Sequence, residues 1–211
     1  MKSRQEIKAI AKARFKEKYW LSVGVSAAIA ATVIVVGAIT GSIGTLIFTG
    51  PLTIGMRFFF IKLFMGEGGT VDAGTPYVKA FDNFGRKLGG SLWMELFSFL
   101  WSLLFVIPGI VKGYSYAMTP YILSDCPNVK AKDALKLSMR IMKGHKGELF
   151  VFELSFLGWL ILDGLTCGIL GIFYLNPYVS TSLAGYYLEV REEALRTGAV
   201  TIEQLNGEAA V

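Results

Sequence analysis

The first long apolar run, residues 20–39, holds 20 residues without a charge, the length a helix needs to cross the roughly 30 Å hydrocarbon core of a bilayer. A second run of that length, residues 88–107, carries only Glu95. Composition agrees: 53% of the 211 residues are hydrophobic and 18% are charged, against roughly 25% charged in soluble domains. A chain of this size has one modest core, and the apolar surplus cannot all be hidden there. Disorder, a collagen-like repeat, a disulfide-dense scaffold and an ordinary soluble enzyme do not fit. An integral membrane protein is expected.

The expected fold is all-α, with six transmembrane helices at residues 20–39, 45–64, 88–107, 110–123, 149–170 and 172–188. Gly41-Ser-Ile-Gly44, Pro108-Gly109 and Asn176-Pro177 separate them in pairs as turn signals. The segment 110–123 is the shortest, so a tilted span, a half-span and a re-entrant piece all remain open for it. Of the 21 Lys and Arg residues, 7 precede Tyr19, 3 lie in 66–90, 6 in 125–148 and 2 in the tail. The other three, Arg57, Lys62 and Lys112, fall inside spans, so the opposite loops hold none. Basic loops stay in the cytoplasm, which puts both termini there. The net charge of +5 then reads as an orientation signal and an attraction to anionic lipid head groups. No nucleic-acid partner and no cleavable signal peptide are expected. Cys126 and Cys167 fall on opposite sides and cannot pair. Cys126 is open to palmitoylation by its juxtamembrane place or is an inert thiol.

Each hairpin of spans is preceded by a short amphipathic stretch with helical spacing. The apolar stripes are Ile7, Ile10, Ala11 and Phe15, then Tyr77, Ala80, Phe81 and Phe84, then Ala131, Ala134, Leu135, Met139 and Met142. Basic helices of this kind are expected in the cytoplasmic interface plane with the apolar face in the acyl boundary. The returning helix of each hairpin is expected to start near Pro51, Pro108 or Pro177. The chain therefore reads as one membrane domain, 1–190, with repeat units 1–67, 68–128 and 129–190 and a flexible cytoplasmic tail, 191–211. A true triplication and the plain consequence of six spans with basic cytoplasmic loops both account for the pattern.

Ionisable residues within spans are functional candidates by default: Arg57, Glu95, Lys112, Glu153 and Asp163. Counted from the span ends, Arg57 and Glu95 lie at matching depth and are expected to pair, with Glu153 as a competing partner. Lys112 matches Asp163 near the outer side. They would form an ion or proton path, a polar seat for a head group, or pairs that fix helix register; Lys62 is expected to snorkel. No zinc constellation, Gly-x-Ser-x-Gly elbow, phosphate loop or dinucleotide fingerprint is present, so neither an enzyme nor a cofactor is expected. The single histidine, His145, lies between Lys143 and Lys146, where it can contact lipid phosphate or merely link into the next span.

Several segments carry a resemblance. Ile107-Pro-Gly-Ile-Val-Lys-Gly-Tyr-Ser-Tyr116, Met118-Thr-Pro-Tyr-Ile122, the stretch from Ser138 to Lys146 ending in Met-Lys-Gly-His-Lys, Leu154-Ser-Phe-Leu-Gly-Trp159 and Asn176-Pro-Tyr178 resemble an integral-membrane family of Gram-positive bacteria with no settled activity, the DUF975 group. The resemblance runs over about residues 1–190. Its layout is similar to the membrane domain of some glycerophosphodiester phosphodiesterases, whose catalytic domain has no counterpart in this sequence. The positions that match the motif are Pro108, Gly109, Lys112, Gly113, Tyr114, Gly144, His145, Lys146, Trp159, Pro177 and Tyr178. The resemblance implies a bacterial source, and the expectation is a non-enzymatic binding, regulatory or lipid-organising multi-pass protein of the bacterial cytoplasmic (plasma) membrane. Its partners would be anionic lipids at the cytoplasmic face, another membrane protein, or further copies of itself. A small transporter or lipid translocator using the intramembrane charges is the alternative, and a membrane enzyme acting on lipid phosphate is the third reading.

Overall fold

The computed structural model describes residues 2–104 and 106–209, and Phe105, within the third expected span, lies outside them. The described residues are helical and contain no strand. The first helix, α1 (Arg4–Glu17), opens on a capping box: the Ser3 hydroxyl accepts from Glu6 N and the Glu6 carboxylate accepts from Ser3 N, satisfying two otherwise orphaned donors. It leads at once into α2 (Tyr19–Phe64), 46 residues long. A straight helix of that length would run about 69 Å. It does not, because Gly41 adopts φ 66°, ψ −154°, a left-handed backbone that favours glycine. In a continuous helix residues 37 and 45 would stand about 12 Å apart along the axis. Instead, a Cβ added at Gly37 would lie 3.0 Å from Thr45 Oγ1. The chain reverses at Gly41 into a hairpin, the pair of limbs expected at 20–39 and 45–64.

Two more hairpins follow. In the second, α4 (Phe84–Leu104) packs on α5 (Val106–Tyr116); a Cβ at Gly109 would meet Ser102 Cα at 2.8 Å. The return continues, after a break, as α6 (Thr119–Asp125). In the third, α8 (Lys146–Leu154) and α9 (Leu157–Leu165) run out, and a π-helical turn (Gly171–Leu175) leads back into α10 (Asn176–Arg196). Asp163 spans the reversal. Its carbonyl accepts from Gly168 N at 2.9 Å and its carboxylate from Gly171 N at 2.5 Å. Pro108 is the third residue of its returning helix, whereas Pro51 lies well inside the first return and Pro177 follows the π turn. Pro177 is thus the second residue of α10, near the start of that helix as expected, whereas at the first reversal Gly41 makes the turn and Pro51 does not mark it.

The short helices α1, α3 (Thr75–Phe81) and α7 (Ala131–Ile141) precede the three hairpins, as expected. Their apolar stripes differ in destination. Ile7, Ala11 and Phe15 of α1, and Ala134, Leu137 and Ile141 of α7, are buried against protein rather than turned to the acyl boundary. An apolar stripe requires only an apolar neighbour, and the hairpin bases supply one. In α3, Val78 and Phe81 do remain exposed, while Ala80 is buried. That helix lies directly on the α2 backbone: a Cβ at Gly55 would fall 2.0 Å from the Pro76 carbonyl oxygen, so glycine permits the close approach.

The core therefore sits at the base of the hairpins, with Phe59, Phe60, Ile122, Phe152, Tyr186 and Tyr187 fully enclosed. Toward the tips the large apolar residues face outward: Ile39 is 78% exposed, Leu103 76% and Leu165 76%. Breaks near the base are closed by side chains. Between α5 and α6 the buried Ser138 hydroxyl donates to the Ser115 carbonyl and accepts from Met118 N. Arg86 donates to the carbonyls of Leu123, in the last turn of α6, and of Cys126 and Val129 beyond it. The tail expected to be flexible is docked as far as it is described. Helix α11 (Ile202–Leu205) has its own capping box, and Val200 and Leu205 are buried; these two apolar anchors outweigh the polar composition around them.

Lys87, in the first turn of α4, is almost wholly buried and donates to the Lys79 carbonyl. Burial pushes its ammonium down to about 8 from an ordinary 10.5, with Asp82 opposing the shift. Between these values the unfolded chain binds the extra proton, so stability rises with pH over that window and the destabilising charge is fully present below it. Denaturation followed between about pH 8 and 10.5 should show this gain in the wild type and a flatter profile in Lys87→Met.

Candidate functional site

One cleft combines cations with aromatic walls. Helix α4 places Trp93, Phe97 and Trp101 at i, i+4 and i+8, hence along one face, and Trp93 stacks on Phe97 with ring centroids 5.3 Å apart. From α5 come Lys112 and Tyr116, and from α7 come Lys132, Leu135, Lys136 and Met139. Together they enclose a cavity of about 440 Å³. Lys112 Nζ lies 4.9 Å from the Trp101 ring centre and Lys132 Nζ 5.0 Å from that of Trp93, within cation–π range. Lys136 pairs with Asp133 at 3.6 Å. The two tryptophans are about 12 Å apart along α4, so the lysines mark the two ends of an aromatic trough. Positive heads against an apolar wall suit an anionic amphiphile.

The intramembrane charges are not paired as expected. Arg57 and Glu95 form no ion pair among the described residues. The Arg57 guanidinium lies over the Tyr121 ring, 4.9 Å from its centre, with Nε buried and lacking an acceptor. Glu95 instead borders a hollow beside Thr49 and Thr119. Counting residues from helix ends fixes depth but not the face a side chain takes, and here the faces differ. Lys112 turns to Trp101 and the trough, while Asp163 is engaged at its own reversal, so this pair is not formed either. Glu153 accepts from the Tyr114 hydroxyl at 2.8 Å. Lys62 reaches Glu67 at 2.7 Å.

The other motif positions spread over two hairpins and act as joints. Tyr114 ties the second hairpin to the third through Glu153. Gly144 takes φ 93° just before His145, whose Nδ1 is 2.9 Å from Glu148 and whose carbonyl accepts from the Tyr186 hydroxyl. Lys146 opens α8. Trp159 packs on Tyr174, and Tyr178 on Tyr174 and Phe156. Pro177 is buried; Gly109 approaches Ser102, whereas Gly113 stands in open space. Among the described residues no cluster of three His, Cys, Asp or Glu is placed to hold a metal. Sequence reasoning missed Ser138 and Arg86, whose bonds to backbone depend on tertiary placement; it also missed the trough, although the i, i+4, i+8 aromatic spacing on α4 was a usable signal.

The class that emerges is an all-helical protein with outward apolar surfaces, in which α2 is long and apolar enough to cross a membrane. The resemblance to DUF975 holds over residues 103–194, less than half of the chain and short of the 1–190 expected: there the model of this family, described as a protein of unknown function, matches, and the matched stretch includes Lys112, Lys132 and Lys136. The further likeness to the membrane domain of glycerophosphodiester phosphodiesterases is not shown by any comparison. No curated protein and no solved structure matches the chain.

Both thiols are free, Cys126 buried and Cys167 exposed. Burial, with Asp125 adjacent, pushes the Cys126 thiol up to about 11, away from the reactive thiolate. A maleimide should therefore modify the native protein once per chain, at Cys167, and twice after denaturation, read by intact mass.

Proposed function

We propose that this chain is a multi-pass protein of the bacterial cell membrane whose three hairpins provide six membrane-crossing limbs, with both termini in the cytoplasm. Two features support the topology: large apolar residues face outward near the hairpin tips, and 18 of the 21 basic residues fall in the segments that join the hairpin bases or flank them. On intact cells, a membrane-impermeant maleimide should label Cys167, at the third tip, from outside. Labelling that requires permeabilised cells would reverse the orientation.

Within that topology the protein acts as a non-enzymatic binder of anionic lipid. The observation that carries this reading is the convergence of Lys112, Lys132 and Lys136 on a tryptophan-walled trough. Lys132 and Lys136 stand on α7, at the cytoplasmic side, and Lys112 stands deeper, so an anionic head group can sit at the base with its chains along the aromatic face. Each basic residue near a membrane surface contributes about 1 kcal/mol toward anionic lipid. In vesicles, brominated phosphatidylglycerol should quench tryptophan fluorescence more than brominated phosphatidylcholine does. Replacing all three lysines by alanine should lower that preference by roughly fivefold per lysine. Equal quenching by the two lipids, or a preference unchanged in the triple variant, would remove the reading.

A further inference from the structure

The other side of α4 holds a site of opposite chemistry. Residues 91 and 95 are two positions away from 93 and 97, and two positions turn a helix by about 200°. Ser91 and Glu95 therefore point away from the lysine trough. They face the returning limb of α2, where Ser42, Thr45, Thr49 and Thr53 recur at i, i+3, i+7 and i+11, a single helical face. A cavity of about 220 Å³ lies between this limb, α4 and α6, with Thr49, Thr53, Ser91, Glu95 and Thr119 among its walls. A wider hollow of about 570 Å³, bordered by Ser42, Thr45, Thr49 and Glu95, continues it toward the Gly41 reversal. Thr49 and Glu95 are common to both.

Two buried hydroxyls of this cavity lack hydrogen-bond partners, and an exposed carboxylate at its rim lacks a countercharge. Thr119 is fully buried and its hydroxyl has no hydrogen-bond partner. The Thr49 hydroxyl is likewise buried without one. Glu95 is itself exposed, at the rim of the cavity, in an apolar stretch of α4 beside the exposed Leu96 and Phe97, and no Lys or Arg among the described residues forms an ion pair with it. The Ser91 hydroxyl spends its proton on the Lys87 carbonyl, which leaves its lone pairs available. A buried hydroxyl left unsatisfied is costly, and an unpaired carboxylate in an apolar belt more so.

A single hydrated cation relieves all of them, the ion taking the oxygen lone pairs and its waters accepting the Thr49 and Thr119 protons, and we propose that this cavity binds a monovalent alkali cation. The donors are hard oxygens, which suit sodium or potassium rather than a transition metal, and the one carboxylate matches one charge. The volume exceeds that of a bare ion, so one or two waters complete its shell. Glu95 supplies the countercharge, Thr49, Thr119 and Ser91 supply neutral oxygens, and the hydroxyl face running to Gly41 provides a polar approach. The site shares no residue with the lysine trough, and its test is independent of lipid binding.

The test uses the purified full chain in detergent, with the melting temperature followed in sodium, potassium, lithium or choline chloride at equal ionic strength. At least one alkali cation should raise the melting temperature saturably above choline. Glu95→Gln should lose that difference. Thr119→Val should weaken the apparent affinity about tenfold, and Thr119→Ser, which restores the hydroxyl, should recover it. Direct binding of radioactive sodium or potassium to the wild type, competed by the unlabelled salt but not by choline, supplies a readout that does not depend on any variant folding. Identical melting in all four salts together with no saturable binding overturns the proposal. So does a Glu95→Gln response equal to the wild type, or a stability that follows pH alone and ignores the cation, which would make Glu95 a proton site.

Discussion

Unsatisfied backbone groups are the constraint on which the rest of this fold depends. Where the surrounding medium offers no water, every N–H and C=O must find a partner within the protein, and an unbroken helix meets that demand automatically. This chain breaks its helices repeatedly, and several breaks carry a side chain that repairs it. Ser138 holds both the Ser115 carbonyl and the Met118 amide. Arg86 gathers three carbonyls at and beyond the C-terminal end of α6. Lys8 donates to the Ser155 carbonyl and hydroxyl between α8 and α9, and Asp163 closes the third reversal. Four polar residue types that would be expensive in an apolar setting are thus retained because each removes a larger cost.

The same economy governs the cations. Arg57, Lys8, Lys79, Lys112 and Lys132 each lie over an aromatic ring. A ring face gives attraction without desolvating a second charge, whereas a buried ion pair desolvates two. That difference explains why neither expected intramembrane pair forms. It also leaves Glu95, Lys112 and Lys132 available to ligands instead of to one another, so absent pairing and binding capacity have one origin.

The hairpins were legible because an apolar run of about 20 residues bounded by glycine has few other uses. The short helices α1, α3 and α7 were legible as helices from their stripes, but a stripe does not say which apolar neighbour it will meet, and for α1 and α7 protein took the place expected for lipid. The docking of Val200 and Leu205 was hidden for a related reason: two apolar residues in a polar tail give no periodic signal. Pairing was illegible because residue counts encode depth along a helix and not rotation about it. The Ser42, Thr45, Thr49 and Thr53 face was present as a spacing. It passed unnoticed because hydroxyl residues in helices usually bond their own backbone, as Thr40 and Thr45 do. Only the tertiary placement of Thr119 and Glu95 opposite it gives the stripe a counterpart.

Helix α4 is the common wall of the two candidate sites, and its sequence shows how one element serves both. Trp93, Phe97 and Trp101 require an apolar, cation-bearing neighbour, which α5 and α7 provide. Ser91 and Glu95 require an oxygen-rich one, which α2 and α6 provide. A helix with both faces committed in this way cannot rotate about its axis without exposing Glu95 to the tryptophans or the tryptophans to the hydroxyls. Its rotation is therefore fixed by chemistry on two sides, although much of its outer length is exposed. The register of the second hairpin rests on this double commitment as much as on the packed base, and the base reinforces it where Arg86 and Lys87 anchor the first turn of α4.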